Sequence, residues 1–230
     1  METLFAKQDR LLSLTSTEII RTLMHRINWD AQLVAIRGPR GVGKTTLMLQ
    51  YMKLHYEVYS RDVLYCTLDS VYFSNHTLLE LADVFVKNGG KHLFLDEVHK
   101  YPTWSKEIKE VYDMYPDLKV VFSASSLLNI LNADADLSRR CIPYEMQGLS
   151  FREFLLFYKQ MSFPVCTLEE VLTSPEKICS EVNKVCCPLP LFKEYLQYGY
   201  YPFYLKNQID YYTSIEQVVN FIVETELPQL

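Results

Sequence analysis

Short apolar runs alternate with stretches of helical spacing through the first two-thirds of the chain. Gln32-Leu33-Val34-Ala35-Ile36-Arg37 is an apolar run of strand length. Leu47 to Leu54 has good helix formers and no breaker. Val63 to Leu68 predicts a second strand, and Leu78 to Lys87 a helix that Asn88-Gly89-Gly90 stops. His92 to Leu95 predicts a third strand, ending at Asp96-Glu97. Trp104 to Tyr115 predicts a helix bounded by Pro102 and Pro116. Val120 to Phe122 predicts a fourth strand, followed by the small polar run Ser123-Ala124-Ser125-Ser126. Cys141 to Met146 is a fifth strand candidate, and its Pro143 points to an edge position or an irregular entry. This alternation predicts an α/β fold, a parallel five-stranded sheet with helices on both faces.

The pattern changes near Gly148. Ser150 to Tyr158 reads as a helix, with Ser150 as cap and Glu153 completing a capping box. From there to Leu230 only short helices are predicted, over residues 169–172, 175–184, 191–197 and 215–226, with a turn at Tyr198 to Pro202. The expected division is a core over 1–148 and a helical unit over 149–230.

Composition narrows the function classes. The chain has 230 residues, 49% apolar and 22% charged, as in a soluble globular protein. No apolar run approaches the ~20 residues of a membrane span, and residues 1–10 lack the apolar stretch of a signal peptide. A cytoplasmic protein without a membrane partner is expected. The six cysteines are then reduced thiols. Cys166, Cys179, Cys186 and Cys187 match no zinc spacing, and no histidine follows His99; they read as small buried apolar residues. The net charge of −5 disfavours a DNA-coating protein, though not a local basic patch. The many tyrosines after Tyr195 lack interleaved Lys and Arg, so they read as a helical core rather than a base-stacking surface.

Glycine is scarce, and three of the seven fall together at Gly38, Gly41 and Gly43. They belong to Gly38-Pro39-Arg40-Gly41-Val42-Gly43-Lys44-Thr45-Thr46, which matches G-x-x-x-x-G-K-[ST] between a predicted strand and a predicted helix. Glycines let backbone N–H groups turn inward around phosphate oxygens, and the following helix points its positive end at the same anion. Lys44 is spaced to reach the β- and γ-phosphates, and the Thr45 hydroxyl is a hard ligand for Mg²⁺. One βα unit later, Asp96 and Glu97 end an apolar strand, the edge where ligands bind in such sheets. Asp96 is assigned to Mg²⁺, directly or through water, and Glu97 to polarising the attacking water.

Ser125, and after it Ser123, are candidates to hydrogen-bond that water or the γ-phosphate; capping the next helix is the competing use, and the one assigned to Ser126. Arg140, or its neighbour Arg139, is a candidate finger on a second copy's nucleotide, against the alternative of a solvated loop. Arg40 packs on an acid or touches phosphate. His99 and Lys100 follow the acids and read as solvated loop residues, with a place near the nucleotide or a partner as the alternative.

These motifs resemble a family of prokaryotic AAA+-like ATPases found in archaea and Bacteroides-type bacteria. Gly38 to Thr46 is similar to its G-P-R-x-V-G-K-T-T, Leu95-Asp96-Glu97-Val98 to its L-D-E-[IV], and Ser123 to Ser126 to its T-G-S-S. Leu137-Ser138-Arg139-Arg140 resembles the end of its S-L-A-G-R, with Arg140 at the arginine position. Leu149 to Phe154 resembles L-S-F-x-E-F, and Gly199 to Pro202 resembles G-G-[YF]-P. Ala124, Arg139 and Tyr200 stand where the family has glycine. The resemblance implies an ATPase core, with residues 149–230 as a small helical lid. Family members usually continue into a C-terminal domain of unknown function, so this chain is expected to be cut before one.

The resulting expectation is Mg²⁺-dependent hydrolysis of ATP to ADP and phosphate, with a second copy or a protein client as partner classes. Three rivals stay open: a slow nucleotide-gated switch, an ATPase module of a nucleic-acid-handling protein, and a small-molecule kinase. Turnover rate separates the first. The acidic balance weighs against the second, and the Asp96-Glu97 pair favours water over an acceptor hydroxyl in the third.

Overall fold

A computed structural model describes residues 1–124, 137, 139–205 and 208–226. They divide into two compact units, Met1–Met146 with the segment from Val223 onward, and Gln147–Ile222.

The first unit holds five parallel strands: β1 (Leu33–Arg37), β2 (Val63–Thr67), β3 (His92–Asp96), β4 (Lys119–Ala124) and β5 (Ile142–Glu145). Their order across the sheet is β2-β3-β4-β1-β5. The connections are helical: α2 (Lys44–His55) follows β1, α3 (Leu78–Lys87) follows β2 and α4 (Trp104–Met114) follows β3. Alternate residues of the strands face opposite layers. On one face Leu64, Leu93, Leu95 and Phe122 join Leu81 and Phe85 of α3 and Ile108 of α4 in one buried cluster. On the other, Phe94 meets Tyr51 of α2 with ring centroids 6.0 Å apart, and Trp29 stacks on Tyr51 at 4.0 Å. Because both faces are covered, β1 to β4 are continuous apolar runs, which is why they stand out in the sequence. Pro143 does lie on an edge strand, level with Ala35, and β5 is largely exposed.

One element was absent from the sequence reading. Helix α1 (Glu2–Leu14) buries Leu4, Phe5 and Gln8. The Gln8 amide serves the free edge of β2: Nε2 donates to the Val63 carbonyl at 3.3 Å, and the Tyr65 N–H donates to Oε1 at 2.7 Å. An edge strand's unpaired backbone is thereby capped by a side chain.

The second unit is helical: α5 (Phe151–Lys159), α6 (Leu168–Thr173), α7 (Pro175–Val185), α8 (Pro188–Tyr198) and α9 (Tyr211–Phe221). The capping box forms as the sequence indicates, with the Glu153 N–H donating to Ser150 Oγ and the Ser150 N–H to Glu153 Oε2. Tyr211 is buried against Tyr198, Phe203 and Tyr204. The cysteines there are a correction. Cys179 and Cys187 are exposed, and Cys166 and Cys186 only half-buried. Helices α6 and α7 bury none of their residues, so no core exists there to receive a thiol. No helix among the described residues is long and apolar enough to cross a membrane.

Candidate functional site

The strand order sets the C-terminal ends of β3, β4 and β1 side by side. Ile36 is level with Ser123, and Leu95 with Phe122, so Asp96 and Ser123 are neighbours across the pair. The glycine loop leaves β1 at this same edge. Gly43 is the residue before α2 and has φ of 100°, a conformation that favours glycine. A Cβ on Gly38 would collide with the Met146 carbonyl oxygen. The loop is held from outside by Arg21, buried, whose Nη1 donates to the Val42 carbonyl at 2.9 Å. Lys44 folds across it, Nζ donating to the Gly38 and Pro39 carbonyls at 2.7 and 2.8 Å. Thr46 is exposed in the first turn of α2.

The acidic end of β3 meets the head of α2 directly. Thr45 Oγ1 donates to Asp96 Oδ2 at 2.6 Å. Tyr65 donates to the same oxygen at 2.8 Å. Ser123 Oγ donates to Asp96 Oδ1, and the Glu97 N–H donates to Asp96 Oδ1 at 3.1 Å and to Ser123 Oγ at 3.2 Å. Glu97 itself has φ of 51°, a left-handed conformation that costs a non-glycine residue about 1 kcal/mol or more and clusters at functional positions. Burial, and then the Asp96 charge, push the Tyr65 phenol far above its ordinary pKa, so it stays a neutral donor. His99 has its pKa pushed down to about 4, chiefly by burial, then by Lys100, Lys44 and Arg40, with Asp96 opposing. It is therefore neutral near pH 7 and within electrostatic reach of the loop, not a freely solvated residue.

The structure thus brings together Lys44, Thr45, Asp96 and Ser123 with the Glu97 backbone and the loop Gly38–Gly43. Ser123 belongs to β4 rather than to the loop after it, and is fully buried. Ser125 and Ser126 lie outside the described residues. Arg140 does not join the site. It precedes β5, which runs parallel to β1, so it lies at the sheet edge opposite the glycine loop. There it pairs with both oxygens of Asp113 at 3.0 and 3.1 Å and lies over the Tyr112 ring. Arg139 is exposed. Tyr65 and Arg21 are site residues that the sequence reading did not single out. Tyr65 is recoverable once β2 is known to flank β3, since it is level with Phe94 and on Asp96's face. Arg21 carries no sequence signal.

The donor set fits Mg²⁺ with a nucleotide phosphate: a hydroxyl and a carboxylate, both hard oxygens, at the positive end of α2 and beside a loop whose backbone is shaped by glycine.

A family model described as AAA domain matches residues 30–155, more than half of the chain and the span from before β1 into α5. The chain belongs to this AAA-domain family. As an AAA domain it is a nucleotide-binding module of the ATPase type, built on the parallel sheet described above. Among its relatives are two proteins of Methanocaldococcus jannaschii. Uncharacterized protein MJ1637 is 25% identical over 216 residues, covering 88% of this chain and 45% of that protein. Uncharacterized protein MJ1544 is 29% identical over 131 residues, covering 55% and 29%. The chain spans less than half the length of either. Solved structures with a distant likeness include AMPPCP-bound DnaA from Aquifex aeolicus, at 15% identity over 70% of this chain and 57% of that one, TM-score 0.41. Saccharomyces cerevisiae RIF2 matches at 16% identity over 87% and 84%, TM-score 0.43.

Proposed function

We propose that the protein binds ATP with Mg²⁺ and hydrolyses it to ADP and phosphate. The observation that carries this reading is the 2.6 Å hydrogen bond from Thr45 to Asp96, which joins the head of α2 to the acidic end of β3. In this reading the loop amides and the first turn of α2 receive the phosphate oxygens. Lys44 exchanges its two loop carbonyls for the β- and γ-phosphates. Thr45 and Asp96 hold Mg²⁺, which supplies charge neutralisation on the phosphates when bound. Glu97 orients the attacking water and takes its proton as the oxygen–phosphorus bond to ADP breaks. Ser125 is assigned to the γ-phosphate. Arg140, placed at the far edge of its own sheet, serves only a second copy's nucleotide.

Titration with a fluorescent ATP analogue tests the loop. Lys44→Ala removes two charge-assisted contacts and should weaken binding about 100-fold; undiminished affinity refutes the assignment. Specific turnover measured against protein concentration tests the second copy. A rise with concentration that Arg140→Ala abolishes supports it, and a flat profile removes Arg140 from the mechanism.

A further inference from the structure

Asp96 is held by more donors than a strand-end carboxylate requires. Oδ2 accepts from Thr45 and Tyr65, and Oδ1 from Ser123 and the Glu97 N–H. An ionised carboxylate offers about four lone-pair sites, and these donors, two on each oxygen, fix its orientation. The hydroxyls come from three elements: α2, β2 and β4. Tyr65 and Ser123 sit on the two strands that flank β3, one gripping each oxygen. Of the three, the phenol is the stiffest, since its oxygen moves only with the whole ring. That ring is buried, and its main-chain N–H is fixed by Gln8. Among the described residues the Tyr65 hydroxyl bonds only to Asp96.

We propose that Tyr65 is a positioning residue for the metal–nucleotide site: its hydroxyl fixes Asp96 Oδ2, so that the carboxylate and Thr45 face the Mg²⁺ of a bound nucleoside triphosphate in one geometry. This rests on the ATP reading above. Asp96 keeps Thr45 and Ser123 when the phenol oxygen is removed, so the carboxylate is not left bare; what is lost is its orientation. Removing a group that orients a metal ligand commonly costs 10–100-fold in metal affinity, by roughly that range in other sites.

The test uses the full chain, Tyr65→Phe, and a fluorescent ATP analogue titrated first in EDTA and then at fixed, saturating analogue with increasing MgCl₂. Tyr65→Phe should bind the metal-free analogue like the unaltered protein and raise the half-saturating Mg²⁺ by about tenfold. Tyr65→Leu, which also removes the ring, should melt lower yet show the same Mg²⁺ shift. Unchanged half-saturation in Tyr65→Phe overturns the proposal. So does an equal loss with and without Mg²⁺, which marks a purely structural role. If the unaltered protein binds no analogue under either condition, the ATP reading itself fails and this inference goes with it.

Discussion

His92 stands at the first position of β3 with 1% of its surface exposed, and lowering the pH asks it to take a charge there. Its Nδ1 is 2.7 Å from the Tyr56 hydroxyl, while Nε2 is buried with no hydrogen-bond partner among the described residues. The ring packs 4.3 Å from Phe94 and edge-on to Tyr51 at 6.1 Å. An orphan acceptor is cheaper than an orphan N–H, so the neutral ring donates from Nδ1 to Tyr56. An imidazolium would have to donate from Nε2 as well. Burial chiefly, then Lys119, push its pKa down from 6.5 to about 3, with Asp30 opposing. The folded value lies below the unfolded one, so the unfolded chain binds the extra proton between them. Stability from this group is complete above the unfolded value and is lost as the pH falls toward the folded one. Linkage puts the loss between about pH 7 and pH 4.5 at roughly 2.5 kcal/mol, a large part of an ordinary domain's stability. That window ends above the range where carboxylates ordinarily titrate, ~4. Urea unfolding at several pH values, followed by tryptophan fluorescence, reads it, because Trp29 stacks on Tyr51 in the same cluster. His92→Phe keeps a ring against Phe94 and removes the proton. It should be flatter than the unaltered protein by the same ~2.5 kcal/mol over that window, with His99 titrating equally in both. An identical pH slope in the two proteins would refute the assignment to His92.

Three further perturbations have defined outcomes. Gly38→Ala drives a Cβ into the Met146 carbonyl at a φ of 151°, and should lower the melting temperature by about 10 °C, for a cost of ~3 kcal/mol; a melt within a degree of the original refutes the close approach. Gln8→Ala leaves the Tyr65 N–H and Val63 carbonyl unpaired, and should cost about 2 kcal/mol in urea unfolding and promote association through the bared β2 edge, read by light scattering. Glu97→Gln should keep analogue affinity and slow phosphate release by about 100-fold or more; normal release removes Glu97 from the mechanism.

The sheet was legible because parallel strands covered on both faces are written as unbroken apolar runs, and glycines or prolines mark where they stop. The glycine loop was legible for a related reason: backbone at positive φ favours glycine, and this chain has little glycine elsewhere. What escaped was encoded in pairings across sequence. Gln8 sits in a mixed charged and apolar stretch from which no element was read, and only the bare edge of β2 explains its 1% exposure. Tyr65 reads as one more aromatic in a strand until strand order sets it beside β3. Ser123 and Ala124 look like the loop that follows a strand, because small residues at a buried strand end resemble turn chemistry. The cysteines of the second unit misled in the opposite direction. Apolar character predicts burial only where neighbouring elements supply a core, and α6 and α7 supply none.

On the ATP–Mg²⁺ reading, the choice of donors around Asp96 follows from what the site would hold. A buried carboxylate could be satisfied by Lys or Arg, and such a pair would be at least as well ordered. It would also cancel the charge that attracts a divalent cation. Thr45, Tyr65 and Ser123 orient the carboxylate with neutral hydroxyls and leave its charge in place. The Tyr65 phenol, its pKa driven up by burial and by Asp96, cannot ionise and repel the carboxylate it holds. His99, neutral near pH 7, adds no competing positive charge. Lys44 donates to the Gly38 and Pro39 carbonyls on the loop side. On the ATP–Mg²⁺ reading, this arrangement separates charge: positive on the loop side for phosphate, negative at the end of β3 for metal. The chain Gln8–Tyr65–Asp96–Thr45 connects the edge of the sheet to the head of α2 through hydrogen bonds of 2.6 to 2.8 Å. A change at that edge, such as Gln8→Ala, should therefore raise the Mg²⁺ requirement in the same direction as Tyr65→Phe and by less, since the phenol stays in place while its backbone anchor is lost.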